Sequence, residues 1–227
     1  MKSRAMGLVV VGVFCGAMVC FAAGEAVSVA LDFEKDAVGS VPDGWKIETV
    51  NAEEPGTPVA TWGVVEDPKA PSGKHIFSLT KVNHDVARAF NLCWTDRVRA
   101  KDVSLKVSLR SDDGFEDQGG GLMWRVQDAN NYYLCRYNPL ESNLRLYVVK
   151  DGKRIKIGDA IALIVPTDTW ATIEVNHTGD RIVCKLDGKQ VLDVDFTRVT
   201  IGEAGGIGLW TKGDAVTSFD SLEVKGN

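Results

Sequence analysis

Apolar and polar residues alternate with a period of two along most of this chain. Val103, Leu105, Val107 and Leu109 alternate with Ser104, Lys106, Ser108 and Arg110, the pattern of a strand with one buried face. Ala171, Ile173 and Val175 alternate with Thr172, Glu174 and Asn176, and Ile182, Cys184 and Leu186 with Val183, Lys185 and Asp187. Asp151-Gly152 joins residues 144–149 to residues 154–157, and Asp187-Gly188 ends the run that starts at Ile182. Asp-Gly between apolar runs marks a hairpin. Gly205-Gly206 introduces residues 207–210, and residues 219–224 form a last strand. The N-terminal third is less regular. Residues 31–34 are predicted as a first strand, and residues 37–45, 51–58 and 67–73 as loops. No long stretch carries a 3.6-residue apolar period, so any helix is a short turn. Short strands at regular intervals, with turn residues between them, predict an all-β sandwich or barrel.

The same alternation sorts side chains onto faces. Leu122, Trp124 and Val126 oppose Met123, Arg125 and Gln127. Tyr133, Cys135 and Tyr137 oppose Tyr132, Leu134, Arg136 and Asn138, and Leu144, Leu146 and Val148 oppose Asn143, Arg145 and Tyr147. With apolar sets inward, the predicted core contains Trp124, Tyr133, Leu146, Ile173, Ile182 and Leu209. If these strands are antiparallel neighbours, Arg125, Arg136 and Arg145 share an open face with Gln127, Tyr132, Asn138, Asn143 and Tyr147. Three guanidiniums together repel, so carboxylates or an oxygen-rich ligand must compensate. Arg supplies five fixed donors and Asn both donors and acceptors, which suits sugar hydroxyls and carboxylates. Aromatic rings suit the apolar faces of sugars. The competing reading is a solvated face whose arginines pair with Asp and Glu. Trp210 and Lys212 share a strand face with Gly208, opposite Ile207 and Leu209; Trp210 is either a stacking platform or a packed ring.

Composition narrows the setting. Residues 6–21 carry no charge, follow Lys2 and Arg4, and run into Ala22, Ala23 and Gly24. This is a secretory leader, shorter than the roughly 20 apolar residues of a spanning helix. A leader over residues 1–23 and one domain over residues 24–227 are expected, secreted or periplasmic, without a membrane span and monomeric. The formal net charge is −5, and loss of Lys2 and Arg4 deepens it, which argues against a nucleic-acid partner. Cys15 and Cys20 fall in the leader; Cys93, Cys135 and Cys184 remain. An odd number without C-x-x-C is no disulfide framework, and scattered His75, His84 and His177 disfavour a zinc site. Cys135 and Cys184 fall on core faces and read as buried thiols. Asp112, Asp113, Glu116 and Asp117 lack the spacing of a calcium loop and read as a solvated loop. Asp32 and Asp220 would share a structural Ca²⁺ if the terminal strands pair; no other cofactor is expected. Asp128-Ala129-Asn130-Asn131 reads as a turn, and His84-Asp85 as an acid/base candidate.

The most specific segment is residues 119–156, GGGLMWRVQDANNYYLCRYNPLESNLRLYVVKDGKRIK. With Asp32-Phe33, Pro42-x-Gly44-Trp45, Asp67-Pro68, Ala70-Pro71 and the closing Gly208-Leu209-Trp210-Thr211-Lys212, Asp214 and Phe219-Asp220, it resembles the secreted proteins that carry the 3-keto-disaccharide hydrolase domain. It is also similar to their lectin and glucanase relatives. The resemblance spans nearly the whole mature chain. It implies a two-sheet concanavalin A-like jelly roll, one sheet concave and one convex. The Glu-x-Asp-x-x-Glu strand of laminarinase-type hydrolases is absent, which disfavours that retaining chemistry.

Three functions follow as expectations: carbohydrate recognition on the concave face, hydrolysis of a 3-keto-glycoside, or a structural or adhesion module. For hydrolysis, a keto group would acidify a ring proton, so one base and oxyanion donors would suffice. The leader carries a direct prediction. N-terminal sequencing of the exported protein should find a first residue between Ala23 and Ala26; retention of Lys2 contradicts it.

Overall fold

The computed structural model describes residues 26–52 and 56–227; the expected leader, with Cys15 and Cys20, lies outside them. Fifteen strands follow in chain order: β1 (Val27–Leu31), β2 (Lys46–Val50), β3 (Thr61–Glu66), β4 (His75–Lys81), β5 (Phe90–Ala100), β6 (Val103–Asp113), β7 (Gly120–Asp128), β8 (Asn131–Asn138), β9 (Asn143–Lys150), β10 (Lys153–Ile161), β11 (Trp170–Thr178), β12 (Arg181–Leu186), β13 (Lys189–Asp195), β14 (Gly205–Lys212) and β15 (Val216–Gly226). The described residues form no helix, and none is long and apolar enough to cross a membrane.

The strands make two antiparallel sheets. One runs β13-β12-β11-β6-β15-β4-β3, with β1 pairing the last part of β15; the other runs β10-β9-β8-β7-β14-β5-β2. The two Asp-Gly pairs do what their chemistry predicts. Asp151 and Gly152 have φ of 49° and 74°, and Asp187 and Gly188 50° and 74°, so both are two-residue turns whose central residues are left-handed, matching the strand twist. The first strand ends earlier than the sequence suggests. Pairing with β15 stops at Leu31, and the chain turns at Phe33, whose φ is 58°, dropping the ring onto Phe77 in the core at 5.4 Å.

Between the sheets lies the main core. Trp124, Tyr133, Leu146, Ile173, Ile182 and Leu209 are all buried in it, as alternation predicted, with Cys93, Cys135 and Cys184 as free thiols. Within it, the Trp124 indole N–H donates to His177 Nδ1 at 2.9 Å. The other ring nitrogen of His177 lies 3.0 Å from the Gly179 carbonyl, so the bonded pair specifies a neutral imidazole with its proton on Nε2. Burial, aided by the charge of Arg125, pushes the His177 pKa down to about 4 from 6.5.

The seven-stranded sheet is strongly curved. Laid flat, its edge strands would stand roughly 29 Å apart at the usual spacing between strands. Yet Asn51, just past edge strand β2, donates through its side-chain amide to the carbonyl of Gly152 at 3.1 Å. Gly152 sits in the turn that leads into the opposite edge strand, β10. The hairpin β9–β10 therefore leans back over the outer face of its own sheet, and that face is concave.

Because the folded-state pKa of His177 lies below its unfolded value, the folded protein binds fewer protons. The stability this gives is complete above pH 6.5 and is lost as pH falls toward 4, a change of up to about 3 kcal/mol. Urea unfolding between pH 7 and 4 should show the drop, and His177→Asn should flatten it.

Candidate functional site

A second apolar cluster covers the concave face: Phe90, Leu92, Trp94, Met123, Val126, Tyr132, Leu134, Tyr147, Val149 and Trp210. Such a set on the outside of a sheet is unusual, since an outward face ordinarily meets water. Phe90 and Trp210 pack with ring centroids 5.1 Å apart, and the Trp210 indole donates to the Tyr132 hydroxyl at 3.2 Å. Over this floor lies Arg154. Its guanidinium carbon is 4.8 Å from the Phe90 ring centre, 5.0 Å from Tyr147 and 5.7 Å from Trp210. The tight Asp-Gly turn puts it there: Arg154 pairs with Val149, which shares a face with Tyr147. Arg154 has no hydrogen bond or ion pair to any described residue, and its Nη1 is buried without an acceptor. Burial lowers its pKa, and repulsion from Arg136 adds to the effect. Beside it opens a cavity of about 560 Å³, lined by Asn51, Arg88, Phe90, Lys153, Arg154 and Lys212 among others.

Two carboxylates organise the polar end of this face. Asp117 accepts from Lys212 Nζ at 2.6 Å and from the Asn138 amide at 2.7 Å, with Arg136 Nη1 at 3.6 Å. Its loop is anchored by Asp214, whose carboxylate accepts the backbone N–H of Phe115, Glu116 and Asp117 at 2.6, 3.0 and 2.8 Å. Burial alone would raise the Asp214 pKa, but these donors outweigh it and hold it low. Glu141 accepts from Arg136 and Arg145, both at 2.7 Å, and from Asn143 at 3.0 Å. Burial raises its pKa, and these partners bring it below the ordinary value, so Glu141 is held as an anion. Arg145 also reaches Asp159 at 3.2 Å.

The predicted site residues thus divide. Tyr132, Arg136, Asn138, Asn143, Arg145, Tyr147, Trp210 and Lys212 lie on the concave sheet face or its rim. Trp210 is buried under Arg154 rather than open for stacking. Arg125 does not join Arg136 and Arg145. The pairing of β7 with β14 slips at Gly206/Ile207, leaving Arg125 as an extra residue with φ of 47°. A bulge reverses side-chain parity beyond it, so Val126 takes the concave position. The Arg125 guanidinium turns inward, 2% exposed. It donates to the carbonyls of Lys101 at 2.6 Å, Ile201 at 3.1 Å and Gly179 at 3.4 Å, and to Asp102 at 3.4 Å. Gln127 follows it to the exposed end of the strand, donating to the Ala204 carbonyl at 3.2 Å.

Other candidates take structural posts. Asp220 is buried and accepts the N–H of Ser72 at 2.8 Å and Ser221 at 2.6 Å. Burial raises its pKa, these donors pull it back, and the charges of Asp32 and Glu34 add to the rise. Among the described residues, no three His, Cys, Asp or Glu are placed to hold a metal ion. His84 bonds the Asn91 side chain at 2.9 Å and the Val86 N–H at 3.3 Å rather than Asp85. Asp128 caps its own turn through Asn130 N–H at 2.7 Å. The acidic loop is not simply solvated, since Asp117 is buried in the network above and Asp112 serves Arg110. Sequence reasoning missed Arg154, Asp117 and Glu141. Counting parity through the two-residue turn from Tyr147 and Val149 would have placed Arg154 on this face.

A model of the 3-keto-alpha-glucoside-1,2-lyase-like domain matches residues 33–225. No curated protein matches the chain. Solved structures with a similar fold include the carbohydrate-binding module CBM66 of Bacillus subtilis (20% identity, 79% of this chain and 93% of that one, TM-score 0.57). The cellulose-induced protein Cip1 aligns over 86% and 96% at 15% identity, TM-score 0.59. Domain 4 of AbnA, an extracellular arabinanase of Geobacillus stearothermophilus solved with arabinotriose, aligns over 87% and 91% at 10% identity, TM-score 0.57. These likenesses establish the jelly-roll fold.

The inward turn of Arg125 has a measurable consequence. Arg125→Ala removes the donor from three backbone carbonyls and leaves Asp102 without its guanidinium, so it should cost about 3 kcal/mol or more in urea unfolding. A loss under about 1 kcal/mol would contradict the assignment.

Proposed function

Since the chain belongs to the 3-keto-alpha-glucoside-1,2-lyase-like domain family, we propose that it works outside the cytoplasm on carbohydrate, held in the cavity on the concave face. The carrying observation is Arg154: a guanidinium spread over three aromatic rings, facing a cavity, with no acceptor from the described chain. Sugars present dense oxygen acceptors, and Arg154, Lys153, Lys212 and the Asn51 amide line the wall as donors. The aromatic floor holds Arg154 rigid, which lowers the ordering cost of binding. Similar folds in a carbohydrate-binding module and in an arabinanase domain solved with arabinotriose support a sugar as the ligand class.

The family favours a second reading, cleavage of a 3-keto-glucoside. A ketone at C3 acidifies the C2 hydrogen. Removal of that proton by a base and cleavage of the C1–O bond would form a C1–C2 double bond, a 1,2-elimination, with the departing oxygen taking a proton from water. Arg154 and Lys212 would stabilise the enolate oxygen. Asp117 would serve as base only after releasing Lys212, with which it pairs at 2.6 Å.

Arg154→Ala should weaken binding of the best ligand from a glycan array by about 10- to 100-fold, the value of a charge-assisted hydrogen bond. Circular dichroism should show the variant folded, with only the modest drop in melting temperature expected from losing the Arg154 contacts to the three rings. Calorimetry on the variant is the test; unaltered affinity would remove the cavity as the site.

A further inference from the structure

We propose that the cavity selects an acidic sugar, a uronic-acid unit whose carboxylate docks on the edge of the Arg154 guanidinium. The proposal rests on the reading of the concave face as a sugar site and says which sugars it prefers. A guanidinium stacked on rings satisfies only its faces. Its five N–H groups point outward in the plane and need acceptors. At Arg154 the described chain supplies none, and Nη1 is buried. Among the described residues, the carboxylates at the polar end of this face are engaged elsewhere, Asp117 by Lys212 and Asn138 and Glu141 by Arg136 and Arg145.

A second guanidinium deepens the need. Arg136 is 3% exposed, and its Nε and Nη1 have no hydrogen-bond acceptor. It lies near enough to Arg154 for the two charges to repel. Lys153 and Lys212 stand on the same wall. The chain carries a net charge of −5, so a concentration of cations here runs against its overall charge and marks a local field for an anion. A planar carboxylate matches the planar fork in two parallel N–H···O bonds, which a hydroxyl cannot do. Glu141 and Asp117 already offset part of the charge, which favours a monoanion over a phosphate dianion. The sugar ring then extends from the carboxylate along the cavity wall, since Arg154 itself covers the aromatic floor.

The test uses the mature protein and paired probes: oligogalacturonate and glucurono-oligosaccharide, each against its methyl ester, with a neutral gluco-oligosaccharide and inorganic phosphate alongside. Calorimetry at low salt should show at least one acid bound about tenfold or more tighter than its ester. The gap should narrow in 0.5 M salt as charges are screened. Arg154→Gln should erase the gap and Arg154→Lys retain part of it, with both variants still folded by circular dichroism. Equal binding of acid and ester overturns the acidic-sugar inference while leaving sugar binding intact. Binding of neither acids nor neutral sugars overturns both. Phosphate bound as tightly as the uronides would make the cavity a general oxyanion site and overturn the assignment to a sugar acid.

Discussion

Curvature of the seven-stranded sheet is the constraint on which the rest depends. Its edges must approach closely enough for Asn51 to bond Gly152. Side chains on the inside of such a bend crowd one another, and the central strands relieve the crowding with glycine. A methyl on Gly208 would lie 2.5 Å from Trp94 Cβ, and one on Gly121 would run into the Cys135 carbonyl. Both positions project onto the concave face. Filling either would push strands apart, flatten the sheet and withdraw the β9–β10 hairpin from the floor it overhangs. Arg154 rides on that hairpin, so the reach of its guanidinium over Phe90, Tyr147 and Trp210 is a consequence of the bend.

The second determinant is the bulge at Arg125. One inserted residue sends a cation inward, where it ties Lys101, Ile201, Gly179 and Asp102 to the end of the core. The same insertion brings Val126 into the concave cluster. A residue that might have crowded the site with a third charge instead braces the sandwich. Its charge also helps keep His177 neutral under the Trp124 indole.

Period-two alternation made much of this legible. The core residues Trp124, Tyr133, Leu146, Ile173, Ile182 and Leu209, and the shared face of Arg136, Asn138, Arg145 and Tyr147, follow directly from strand parity. Arg125 and Gln127 were misplaced because a bulge adds one residue without a sequence mark of its own. Arg154 is a single charge in a short strand, and only parity carried across the two-residue turn places it on the face of Tyr147 and Val149. Asp117 and Glu141 come from loops, whose side chains follow no periodicity; only the pairing of strands in space brings them to Arg136. Trp210 shows a further limit. Parity gives the face of a residue, whereas its cover by Arg154 depends on an edge strand distant in the sheet.

The chain's six tryptophans give the most direct test that the concave face is the ligand site. Trp210 and Trp94 lie on that face, Trp124 and Trp62 in the core, and Trp170 stacks with Arg110 on the outer side of the other sheet. Two-dimensional NMR resolves the indole N–H of each. On titration with a bound oligosaccharide, the Trp210 indole resonance should shift most, while Trp124, Trp62 and Trp170 stay in place. A shift centred on Trp170, with Trp210 unmoved, would contradict the account.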